Sequence, residues 1–89
     1  MSAELRVDRS RAEGREVGGE LVIYDLGTRG YLGGNRAAAV LWPLLVAGTG
    51  PDAMAAALRA EFGIDEARAR EDAEAFVESL RERGLLAAD

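Results

Sequence analysis

The sequence predicts an α+β fold in which short strands come first and three helices follow. Two observations carry this reading. β-Branched and aromatic residues gather between Glu20 and Gly33, bounded by glycine-rich connections, and from Asn35 to Gly84 three apolar-periodic segments each open on a helix-starting residue and close on glycine. A chain of 89 residues suits one small core and not two, so residues 1–89 are expected to form a single domain.

Leu5 and Val7 alternate with Glu4, Arg6 and Asp8, the period-two pattern of a short half-buried strand. The stretch from Asp8 to Glu20 holds Gly14, Gly18 and Gly19 without apolar periodicity and is expected to be a connecting loop. Leu21, Val22, Ile23 and Tyr24 then predict a strand from Glu20 to Leu26. Asp25-Leu26-Gly27-Thr28-Arg29-Gly30 reads as a hairpin connection, and Arg29 to Gly33 as the returning strand.

Asn35 is placed to cap a first, mostly buried helix from Arg36 to Val46 that Gly48 and Gly50 end. Pro43 lies inside it and removes the hydrogen bond to the Ala39 carbonyl, so a bend or loosening is expected over residues 39–43. Pro51 suits the first position of a second helix, with Asp52 near the positive end of its dipole and Met54, Ala55, Leu58 and Phe62 at helical spacing. Gly63 is expected to end it as a left-handed cap. Asp65 caps a third helix to about Arg83, with Ala69, Ala73, Phe76, Val77 and Leu80 in one stripe. Beyond Gly84, Leu85 and Leu86 can fold back as a cap contact. The helix order is that of a helix-turn-helix with the hairpin as its wing.

Composition narrows function. Eleven basic against sixteen acidic residues leave a net charge of −5, which opposes neutralisation of phosphate, so nucleic acid is not an expected partner. Every basic residue is Arg. No Cys or His is present, which excludes thiol and imidazole chemistry and the usual zinc sites. The start of the chain carries Glu4, Arg6 and Asp8 rather than a signal-peptide apolar run, and no later segment is long and apolar enough for a membrane span, so a cytoplasmic location without membrane partners is expected.

No catalytic or metal-binding constellation emerges. Glu71, Glu74 and Glu78 share a helical face, but Arg68, Arg70 and Arg81 are interspersed, and an exposed ion-pair face accounts for them. Gly27, Gly30, Gly33 and Gly34 do not have dinucleotide-fingerprint spacing, and a phosphate loop would need the Lys this chain lacks. Trp42 and Phe76 fall in apolar stripes and read as core. What the glycines do supply is accessible backbone on a short strand, which can accept a partner strand.

The ordered set Tyr31-Leu32-Gly33-Gly34-Asn35, Val40-Leu41-Trp42, Leu45, Gly48-Thr49, Glu71-Asp72, Phe76, Leu80 and Arg83-Gly84-Leu85-Leu86 resembles the PqqD-like family over about residues 20 to 86. These are leader-peptide recognition domains of ribosomally made, post-translationally modified peptide pathways. The resemblance implies a winged helix-turn-helix with a three-stranded antiparallel sheet before three helices. It also implies no enzymatic activity, no metal and no cofactor, and a leader peptide added as a strand beside the third strand, in a groove shared with the third helix.

Carried onto this chain, the resemblance makes Arg29, Gly30, Tyr31, Leu32 and Gly33 the binding edge and Asp72, Ala75, Phe76 and Ser79 the opposing wall. Pockets beside Tyr31 and Phe76 are expected to take apolar leader side chains, with Arg29 or Asp72 reading a charge. A proline at Leu32 is expected to remove an edge N–H and weaken binding. Gly34 stands where the family usually has an apolar residue, and Leu32 where an aromatic is frequent, so a shallower groove or a more mobile strand end is expected. The likeness is greatest to stand-alone recognition proteins of lasso peptide clusters, whose partners are a cysteine leader peptidase and a cyclase. The alternatives are a peptide chaperone for a radical enzyme of quinone cofactor biosynthesis and, from helix order, a winged-helix transcription regulator.

Overall fold

The computed structural model describes residues 4–87. Strands β1 (Ala12–Val17), β2 (Glu20–Asp25) and β3 (Gly30–Gly34) form one antiparallel sheet in the order β1-β2-β3. Helices α1 (Arg36–Ala47), α2 (Pro51–Phe62) and α3 (Glu66–Glu82) follow. This is the expected α+β class, three antiparallel strands and then three helices.

The first strand is not where the sequence placed it. β1 lies inside the segment expected to be a loop, whereas Leu5 and Val7 form isolated bridges to Thr49 and Leu86, outside the sheet. The turn is what pairs β1 with β2. Gly18 and Gly19 have φ of 62° and 84°, the two positive values that a two-residue type I′ hairpin requires, and Val17 pairs with Glu20 across it. Periodicity hides β1 because its inward positions are Ala12, Gly14 and Glu16, opposite Asp25, Ile23 and Leu21. Of these only Ala12 buries a side chain.

β2, central in the sheet, alternates as a half-buried strand should: Leu21 and Ile23 are buried, Val22 is exposed. Its inner face packs on α1, and Leu41, Trp42 and Leu45 of α1 share one buried cluster with Met54 and Leu58 of α2 and Ala69, Ala73, Val77 and Leu80 of α3, which Val7 and Leu85 complete. Full burial of each Leu in that cluster contributes about 1.5–3 kcal/mol.

The helix ends follow from local chemistry. Asn35 Oδ1 accepts from the Ala38 N–H at 2.9 Å, and Asp65 Oδ1 from the Arg68 N–H at 2.7 Å. Gly63 closes α2 in the left-handed region, φ 66°. After α3 the Leu85 N–H donates to the Leu80 carbonyl and that of Gly84 to Arg81, the paired bonds of a Schellman cap with Leu85 as its buried contact. α1 runs on through Pro43, which is exposed, to Ala47.

Candidate functional site

The turn leading into β3 is built on Asp25. This buried carboxylate accepts from the backbone N–H of Gly27 at 2.9 Å and of Thr28 at 3.2 Å, and the Asp25 carbonyl accepts from Arg29 N–H at 2.7 Å. These bonds, with the one to Thr28 largest, hold the Asp25 carboxyl below its ordinary pKa. Arg29 sits in the turn with φ 62°, the sole described residue other than glycine at positive φ.

Hydrogen-bond parity decides which groups of β3 are free. The two-residue turn makes Val17 and Glu20 a bonded pair, and Leu26 N–H donates to the Arg11 carbonyl at 2.8 Å, so Glu20, Val22 and Tyr24 direct their backbone groups to β1. Leu21, Ile23 and Asp25 therefore face β3, opposite Gly34, Leu32 and Gly30. Tyr31 and Gly33 are left with N–H and C=O on the open edge of the sheet. The N–H of Leu32 belongs to the ladder with β2, so the expectation for a proline there is corrected: it would break the sheet rather than clear the edge.

Beside this edge runs an open groove of about 340 Å³ between β3 and α3. Leu32, Gly33 and Gly34 line it from the strand, Ala37 and Ala38 from α1, and Arg68, Asp72, Ala75, Phe76 and Ser79 from α3. Phe76 is half-buried, packed on the core while also lining the groove. Arg68 Nε donates to both oxygens of Asp72 at 3.1 and 3.0 Å, so the carboxylate on this rim is already compensated. The walls offered by Leu32, the alanines and Phe76 suit an apolar side chain.

The structure thus brings together Leu32, Gly33, Asp72, Ala75, Phe76 and Ser79 and sets three expected residues apart. Tyr31 points to the outer face of the sheet, 77% exposed, with its ring 5.0 Å from that of Tyr24, so the ring shares no pocket with Phe76. Arg29 and Gly30 belong to the turn and its closing pair with Asp25. Sequence reasoning did not place Gly34, Asn35, Ala37, Ala38 or Arg68 among the site residues. Arg68 could have been found, since it stands one turn before Asp72 on the stripe that continues to Phe76; the alanines carry no such signal. Gly34 also acquires a reason: a Cβ there would stand 2.8 Å from that of Ala38 and 3.3 Å from that of Leu21.

Residues 20–86 match the family model described as coenzyme PQQ synthesis protein D (PqqD). The chain belongs to the PqqD family. Among solved structures, one with the description TbiB1 in complex with the TbiA(beta) leader peptide is similar at a TM-score of 0.79 and 26% identity, over 94% of this chain and 99% of that one. A lasso peptide synthetase B1 complexed with the leader peptide is similar at 0.80 and 27%, over 97% and 100%. Comparison with curated proteins found no match. The PqqD match starts at β2, while the likeness to the two leader-peptide complexes extends over nearly the full chain. Among the described residues no group of acidic side chains could hold a metal ion, and no helix is long and apolar enough to cross a membrane.

Proposed function

We propose that this PqqD-family chain is a non-catalytic recognition protein that binds the leader region of a ribosomal precursor peptide by strand addition to β3. The single observation that carries this reading is the coincidence of the open backbone of Tyr31 and Gly33 with the groove below them. A strand paired to that edge places alternate side chains into the groove and onto the outer face beside Tyr31. The ladder sets register and Leu32, Ala75 and Phe76 select an apolar side chain. Asp72 and Ser79 form the polar rim. Arg29 lies at the strand's start, where a charged leader residue can meet it.

Both similar structures are described as leader-peptide complexes, and one of them as a lasso peptide synthetase B1, which favours lasso peptide biosynthesis as the pathway. Lacking His and Cys, the chain acts by raising the effective concentration of its peptide at a cytoplasmic leader peptidase and modifying enzyme. The test is isothermal titration with the leader peptide encoded beside the gene. One-to-one saturable binding is expected, and absence of binding refutes the reading.

A further inference from the structure

The sheet has a second open edge, and we propose that it joins two copies of this chain: β1 pairs antiparallel with β1 of a second copy about a twofold axis at Gly14. The parity that frees Tyr31 and Gly33 on β3 leaves Ala12, Gly14 and Glu16 directed away from β2 on β1. The Ala12 N–H already donates to the Asp8 carbonyl at 3.1 Å. Both backbone groups of Gly14 and of Glu16, with the Ala12 carbonyl, remain.

Only even-numbered residues present bonding groups on this edge, so pairing must match even with even. With Gly14 opposite Gly14, the glycines exchange two bonds and each Glu16 N–H reaches the other copy's Ala12 carbonyl. Glu13 then lies opposite Arg15 in both halves of the contact, in the unbonded pairing where side chains come closest. Shifting the register one step either way puts Glu13 opposite Glu13 or Arg15 opposite Arg15. Charge therefore selects the central register.

Three features of the single chain leave this edge ready. Glu13 and Arg15 are exposed and make no ion pair among the described residues. Gly14 has no side chain to hold a neighbouring backbone away. A concavity of about 690 Å³ borders the strand, lined by Arg9, Glu13, Arg15, Trp42 and Val46 among others. Charges on an edge strand ordinarily deter pairing, but here their alternation about Gly14 is self-complementary. The paired copies would keep both β3 edges free at the far ends, so this inference stands apart from the peptide-binding reading.

Sedimentation velocity of the 9.5 kDa chain over rising concentration tests it. The short contact predicts a weak dimer, with mass doubling as concentration approaches about 1 mM. Arg15→Glu is expected to weaken association about ten-fold, since two attractive cross-strand pairs become repulsive. The double variant Glu13→Arg, Arg15→Glu should restore it, because the complementary pairs are regenerated with reversed sign. Unchanged melting of Arg15→Glu shows that the fold is intact, and unchanged leader titration separates this edge from β3. A chain monomeric at about 1 mM, or a double variant no better than Arg15→Glu, overturns the proposal.

Discussion

The backbone of Gly14 lies against the indole of Trp42: a Cβ at position 14 would stand 2.4 Å from Cε2 and 2.5 Å from Nε1. The ring thus occupies the inward space that any other residue of β1 would fill. It is 6% exposed, and it joins the first strand to the first helix.

Gly14→Ala is accordingly expected to destabilise the fold by about 1–3 kcal/mol, the usual result of overpacking a site whose neighbour cannot yield. Denaturant unfolding measures this, and Trp42, the single tryptophan, reports the displaced ring by its fluorescence.

The open backbone of β3 is expected to tell two proline variants apart. Gly33→Pro removes an edge N–H that no other strand uses, so leader affinity should fall about ten-fold, for a lost bond of about 1 kcal/mol and an unpaired peptide carbonyl. Its melting temperature should hold. Leu32→Pro removes a bond to β2 and should unfold the hairpin, lowering the melting temperature as well. Titration calorimetry together with thermal melts separates the two.

Phe76 and Leu80 stand one turn apart on α3, but only Phe76 lines the groove. Phe76→Ala should weaken leader binding at least ten-fold with a stability loss of about 1–2 kcal/mol, reflecting its partial burial. Leu80→Ala, in the fully buried core, should cost about 2–5 kcal/mol and leave the affinity of the remaining folded protein unchanged. Equal affinity losses in both would place the peptide elsewhere.

Stability should fall on acidification. The Asp25 carboxyl is held down by the Thr28 and Gly27 amides, and that of Asp8 by the hydroxyl and amide of Ser10, both below the ordinary 3.8. A depressed folded-state pKa contributes stability that is full above the unfolded value and is lost as pH drops through the folded one. The melting temperature should therefore be level from neutral pH to about 5 and decline below about 4. Asp25→Asn should flatten that decline, because the side chain at the start of the turn no longer titrates.

Helix boundaries were legible because their determinants are local. Asn35, Pro51, Gly63, Asp65 and Gly84 act within a few residues of themselves, and each ends or starts a helix where its chemistry says. β2 was equally plain, since Leu21 and Ile23 alternate with exposed neighbours. β1 was not, although Gly18-Gly19 is a strong two-residue turn signal. Its inward position at Gly14 is filled from α1, about 30 residues away, so no periodicity survives in the strand itself. The arm at Leu5 and Val7 has the alternation of a strand yet bridges Thr49 and Leu86.

The sequence by itself determined the α+β order, the helix caps, the hairpin into β3 and the α3 stripe of Ala69, Ala73, Phe76, Val77 and Leu80, while Asp72 and Ser79 followed from the family resemblance. It also excluded thiol and imidazole chemistry, through residues that are not there. Only the tertiary structure decided that β3 opens its edge at Tyr31 and Gly33, that Leu32 and the ring of Tyr31 lie on opposite faces of the sheet, and that Ala37 and Ala38 make room for a groove. The reason is physical: caps and turns are satisfied by near neighbours, whereas edge, face and groove depend on register between strands and on how closely a helix can approach them.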